Sequence, residues 1–191
     1  MSSIQYTLYM KIGFDLDGIF IGTPPLVSRK LLEKFYKTKS HGKLAYRIPS
    51  RPEQLFRKLT HLPFLRPPIE KNITFLKSLS RKGHKLYLIS SRYNFLEKET
   101  ARFLKTYGLD KAFDTIYLNH ENKQAHVFKD DVIKKLNLDM HIDDDVSLIN
   151  FVAKKNPKTT FFLFNEADEK ITLAKNVTKI AKLEEILKNF K

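Results

Sequence analysis

Asp15 and Asp17 stand two positions apart at the end of an apolar stretch and are followed at once by Gly18. Three more aspartates, Asp143, Asp144 and Asp145, follow a second short apolar stretch. Between these clusters lie two hydroxyls and a cation, Ser90, Ser91 and Arg92, and a lysine, Lys129, fourteen residues ahead of Asp143. Carboxylates brought together repel one another and are costly beside a core unless a cation sits among them. Oxygen-only ligands select a hard cation. Mg²⁺ needs few protein carboxylates and leaves positions for water and phosphate oxygens. A carboxylate, a hydroxyl and such a metal in one place suit phosphoryl transfer, where the equatorial oxygens must be neutralised while a nucleophile attacks in line.

These residues converge only if parallel strands carry them to one edge, because ligands in open α/β sheets gather at the carboxyl ends of the strands. Apolar runs predict strands over residues 11–16, 85–90, 114–118, 140–142 and 159–164, with a short edge strand at 177–180. Helical spacing predicts helices over 69–81, 95–107 and 129–136, the last opened by Lys129, and a closing helix over 183–190. This alternation predicts an α/β fold, a Rossmann-like parallel sheet with covering helices. Residues 19–68 break it. Helices are expected at 28–37 and 53–62, and the stretch 39–52, with Gly42, Pro49 and Pro52, reads as loop. The expected division is a core of residues 1–18 and 69–191 with a small helical cap, 19–68, inserted after the first strand.

The chain of 191 residues is long enough for one substantial core, and 42% hydrophobic with 29% charged residues is a globular composition. It has no cysteine, which excludes disulfides, thiolate zinc sites and a cysteine nucleophile. Without a basic n-region or a long apolar run, neither a signal peptide nor a membrane span is expected, and the expected location is cytoplasmic. The net charge of +14 is uneven: residues 27–106 hold 20 Lys/Arg against 5 Asp/Glu, and the rest of the chain 15 against 16. That segment favours an anionic partner, a phosphate compound, a nucleotide or a nucleic acid. The competing account is a solvated basic surface. It covers Arg47, Arg51, Arg57 and Arg66 one by one.

Asp15-Leu16-Asp17-Gly18 after an apolar strand resembles motif I of the haloacid dehalogenase (HAD) superfamily of phosphohydrolases. Leu86-Tyr87-Leu88-Ile89-Ser90 resembles its motif II, Lys129 its motif III, and His141-Ile142-Asp143-Asp144 its motif IV. The four motifs occur in order across residues 11–145. The resemblance implies that Asp15 is the nucleophile, forming an aspartyl-phosphate, and that Asp17 protonates the leaving oxygen and later activates water. It implies that Ser90 hydrogen-bonds the transferring phosphoryl group and that Lys129 offsets the charge of Asp15. Mg²⁺ would be held by the Asp15 carboxylate, the Asp17 main-chain carbonyl and motif IV. There Asp144 is the favoured direct ligand, Asp143 a ligand or its support, and Asp145 exposed. Ser91 and Arg92 are candidate substrate contacts, Arg92 otherwise being a helix-start surface charge. Lys123 is the alternative to Lys129. His141 reads as structural.

The leading expectation is a Mg²⁺-dependent phosphomonoesterase. Leu65-Arg66-Pro67 ahead of a helix, Ser90-Ser91-Arg92 and His141-Ile142-Asp143-Asp144 are similar to 5′(3′)-deoxyribonucleotidase relatives. The basic segment supports an alternative, a polynucleotide 3′-phosphatase. A third reading is a non-catalytic binding module on the same fold.

Overall fold

The computed structural model describes residues 9–22, 37–40, 43–61, 65–167 and 171–190. Six strands form one parallel sheet: β1 (Lys11–Phe14), β4 (Lys85–Tyr93), β5 (Thr115–Asn119), β6 (Met140–Asp143), β7 (Thr160–Phe164) and β8 (Val177–Ile180). Their order is β5-β4-β1-β6-β7-β8, so the chain builds outward from β1 in both directions. That reversal opens a crevice at the carboxyl end of β1, the usual ligand position of a doubly wound sheet.

Side-chain alternation along the strands gives the sheet two apolar faces. Ile12, Phe14, Leu86, Leu88, Ile142 and Phe162 pack with α2 (Glu70–Ser80) and α3 (Glu97–Thr106). Ile89, Phe161 and Leu163 pack with α4 (Ala125–Leu136) and α5 (Val146–Lys155). Burial on both faces explains the near-continuous apolar runs of β4 and β7.

Several elements depart from the sequence expectation. β1 ends at Phe14, which leaves Asp15 and Leu16 just beyond it. β4 runs on through an irregularity between Ser90 and Tyr93, carrying Arg92 with it. α4 starts at Ala125, so Lys129 lies in its second turn and does not open it. The closing helix is a 3₁₀ turn, Leu183–Asn189. The stretch read as loop contains an antiparallel hairpin, β2 (Lys37–Ser40) with β3 (Lys43–Tyr46). It precedes α1 (Arg51–Thr60). The helix expected at 28–37 falls almost wholly outside the described residues, and Lys37 itself begins β2. α1 is inverted for a surface helix, since Leu55, Phe56 and Leu59 face solvent while Arg57 is buried.

The segment between β1 and α2 leaves and returns through a pinned neck. Gly22 donates its N–H to the Pro67 carbonyl at 2.9 Å, Ile69 to Phe20 at 2.9 Å, and the buried Asn72 amide to Ile19 at 2.7 Å. Leu16, Ile19 and Phe20 are fully buried, and Phe20 meets Phe14 and Phe113 with ring centroids 5.8 Å apart in each pair. This aromatic packing anchors the turn that carries Asp17 and Gly18.

Candidate active site

The crevice beyond β1 collects the residues singled out from the sequence. Asp15 continues the parallel ladder, its N–H donating to Ile142 at 2.9 Å, so its carboxyl lies beside the end of β6. Lys129 reaches from α4 into the crevice and bridges Asp15 at 2.8 Å and Asp143 at 2.6 Å. All three are buried. Lys123 pairs instead with Glu121 and Asp131 at 3.1 and 3.5 Å.

One ammonium between two carboxylates leaves a deficit of positive charge. Burial pushes the Asp15 carboxyl up to about 7; Lys129 offsets part of this, and the charges of Asp143 and Asp17 add to it. Burial acts on Asp143 in the same sense, but Lys129 and His141 hold it below the usual carboxylate range. For Lys129, burial favours the neutral amine, and the two carboxylates outweigh it and keep the amine protonated. His141 lies 3.4 Å from Asp143 and is fully buried.

Asp15, Asp143 and Asp144 each offer a carboxylate oxygen, all within 4.8 Å of one another. Oxygen-only donors, a charge deficit and this spacing fit a hard divalent cation. Asp143 Oδ2 accepts from Lys129, and Oδ1 accepts the Asp145 N–H at 3.0 Å. Both its oxygens are thus engaged within the protein, whereas Asp144 is less buried. Gly18 makes the space. It has φ +71°, and a Cβ there would meet Asp144 Oδ2 at 2.0 Å. Gly18→Ala is therefore expected to displace Asp144. The left-handed backbone adds about 1–2 kcal/mol of strain. A Mg²⁺ titration followed by thermal melting checks this: unchanged melting and unchanged response to the ion would contradict the packing described.

Asp145 is not exposed. Its Oδ1 caps α5 by accepting from Ser147 and Leu148 at 2.9 and 3.1 Å, and its Oδ2 accepts from the Tyr46 hydroxyl at 3.0 Å. β1 and β4 pair with Phe14 opposite Leu88, which places Ser90 at the same sheet end as Asp15. Ser90 is buried, and its Oγ finds no hydrogen-bond partner among the described residues. A buried hydroxyl without a partner is costly unless a ligand completes it. Ser91 is half-buried at the edge, its carbonyl accepting from Asn119 at 3.4 Å.

Asp17 is not part of the carboxylate cluster. Arg92 donates to it through Nε and Nη2, each at 2.7 Å, and Arg66 Nη2 reaches Oδ1 at 2.7 Å. Burial opposes the charge of Asp17, but the two guanidinium groups hold its carboxyl well below the usual range. Arg92 is therefore neither a surface charge nor an open anion contact here. Arg66, counted from the sequence among solvated cations, is mostly buried against Asp17. Its partner lies 49 positions away in the chain, so no local pattern marks it.

The fold is that of the haloacid dehalogenase-like hydrolases. Solved structures of that class match this chain over nearly its whole length. A predicted phosphoglycolate phosphatase from Haemophilus somnus aligns with a TM-score of 0.67 at 14% identity, covering 96% of this chain and 98% of that one. The HAD-hydrolase YfnB from Bacillus subtilis, solved bound to magnesium, gives 0.62 at 14% identity over 95% and 98%. A haloacid dehalogenase-like hydrolase from Streptococcus pneumoniae gives 0.60 at 14% identity over 96% and 99%. No protein-family model and no curated protein matches the sequence. Among the described residues no helix is long and apolar enough to cross a membrane.

Proposed function

We propose that this chain is a Mg²⁺-dependent phosphomonoesterase that works through an aspartyl-phosphate on Asp15. The observation that carries the reading is the crevice itself. Asp15, Lys129, Asp143 and Asp144 converge at the switch point of the sheet, at the sheet end that also holds the unpartnered hydroxyl of Ser90.

In this reading Asp15 attacks phosphorus, the P–O bond to the leaving group breaks, and Asp17, ionised in the free protein, relays to the leaving oxygen the proton that the monoester brings in its monoanionic form. Water then attacks the aspartyl-phosphate, giving up its proton to Asp17 and releasing inorganic phosphate. Ser90 Oγ donates to a phosphoryl oxygen. Lys129 favours the ionised form of Asp15 and aims it. Asp15, Asp144 and the Asp17 main-chain carbonyl would hold Mg²⁺, with Asp143 supporting Lys129 and the turn after β6. The ion supplies positive charge to the phosphoryl oxygens and completes the charge balance of the crevice. Residues 19–68 act as a small cap, and the substrate is a small phosphorylated compound of nucleotide type.

A panel of nucleoside monophosphates, sugar phosphates and 3′-phosphorylated oligonucleotides, assayed with Mg²⁺ and with EDTA, tests this. Turnover of at least one monoester is expected, lost in EDTA and restored by Mg²⁺. Preference for the oligonucleotides, with turnover falling steeply as salt is added, would favour the polymer-end reading. No turnover across the panel would favour a binding module.

A further inference from the structure

Arg66 is held more completely than an ion pair with Asp17 requires. Nε donates to the Gly22 carbonyl at 3.0 Å, Nη1 to His61 Nε2 at 2.9 Å, and Nη2 meets Asp17 Oδ1 at 2.7 Å. Its side chain is only 11% exposed. Each contact comes from a different place: the outgoing side of the neck, the residue capping α1, and the turn after β1.

The contacts fix the state of His61. A guanidinium can only donate, so Nε2 must accept. The hydrogen of the neutral ring is then on Nδ1, and it is given to the Arg57 carbonyl, 2.6 Å away. Burial, with Arg92 and Arg66 close by, pushes His61 down to about 3, which keeps the ring neutral and able to accept at any working pH. A chain of contacts therefore runs from α1 through His61 and Arg66 to the carboxylate of Asp17. Arg92, whose Nη1 donates to Thr100 at 3.0 Å, holds Asp17 from the core side.

We infer that Arg66 and His61 are positioning residues for Asp17, so that the segment between β1 and α2 sets the direction in which the proton carrier points. The inference rests on the reading of Asp17 as the group that protonates the leaving oxygen. Both residues act through Asp17, and neither is assigned a contact to the reacting phosphate. Their effect is confined to the step that Asp17 performs, and that step matters only for some substrates. An alkoxide leaving group needs a proton as the P–O bond breaks. A nitrophenolate is stable without one.

The test compares an alkyl phosphate with 4-nitrophenyl phosphate for wild type, Asp17→Asn, Arg66→Ala, Arg66→Lys, His61→Ala and His61→Gln. Asp17→Asn is expected to lose about 10²- to 10⁴-fold in kcat on the alkyl ester and far less on the nitrophenyl ester. Arg66→Ala and His61→Ala are expected to show the same contrast at smaller amplitude, about tenfold on the alkyl ester, with KM little changed. His61→Gln, which keeps an acceptor for Arg66 and a donor for the Arg57 carbonyl, is expected to recover part of the loss. If Asp17→Asn shows no contrast, the proton-carrier reading falls. If Asp17→Asn shows it while the Arg66 and His61 variants lose both activities equally, or neither, the positioning inference alone falls. Should Arg66→Ala fail to fold, Arg66→Lys and the two His61 variants decide the matter on the same contrast.

Discussion

Asp15→Asn is expected to lower turnover by at least about a thousandfold while leaving the fold intact. Asparagine has the shape of aspartate but is a poor nucleophile, and no other described carboxylate is poised to replace it. Asp143 is tied to Lys129 and the Asp145 N–H, and Asp17 to two arginines. The substitution also has a signature in stability. In the metal-free protein, the Asp15 carboxyl is pushed up to about 7, from an ordinary value of 3.8. Between these values the folded state keeps a proton that the unfolded state has lost, so stability falls as pH rises from about 4 to about 7. Asp17 and Asp143 are shifted the other way, and their contribution is lost only at more acid pH. Asp15→Asn is therefore expected to flatten the slope between about pH 4 and 7 in EDTA. Thermal melts across that range, with a turnover assay, check both effects. Retained turnover within about tenfold of wild type would remove Asp15 as the nucleophile.

Lys129→Met is expected to have the largest effect on stability. Among the described residues it is the one cation shared by the buried pair Asp15 and Asp143, at 2.8 and 2.6 Å, with its own side chain 2% exposed. Removing one partner of a buried ionic group leaves uncompensated charge, typically a loss of about 3–5 kcal/mol. Two carboxylates would then face each other without the ammonium between them. Acidification should recover part of the loss by protonating Asp15, and added Mg²⁺ should recover part by supplying charge. Urea denaturation at pH 5 and pH 8, with and without the ion, reads each effect. A variant as stable as wild type at pH 8 in EDTA would show that this lysine does not balance the site. Turnover should fall with stability, because the crevice loses the group that aims Asp15.

The carboxylate cluster was legible in the sequence because its members lie at strand ends. Apolar runs place β1 and β6, and parallel pairing then brings Asp15 beside Asp143 without further information. Lys129 was legible by spacing, although its place within α4 was not. The hairpin was hidden because Lys37–Ser40 and Lys43–Tyr46 are short and lysine-rich, with Gly42 between them. α1 was located by its periodicity, but a pattern cannot say which face turns inward, and here the buried side chain is Arg57. The cap role of Asp145 had a local signal, an aspartate immediately before the helical run of α5. The hold on Asp17 had none. The sequence marks Arg92 as a candidate substrate contact and Arg66 as one basic residue of the inserted segment, and neither reading points to Asp17.

That neck changes what a longer or shorter insertion does to the molecule. With Gly22 bonded to Pro67 and Ile69 to Phe20, the ends of the intervening segment are a closed loop as far as the sheet is concerned. The chain entropy of closing such a loop grows only logarithmically, by about 0.6 kcal/mol for each doubling of its length. Residues between the two staples can be rebuilt, extended or trimmed at little cost to the folding of the sheet. The fixed requirement is that His61 and Arg66 return at their present positions to hold Asp17.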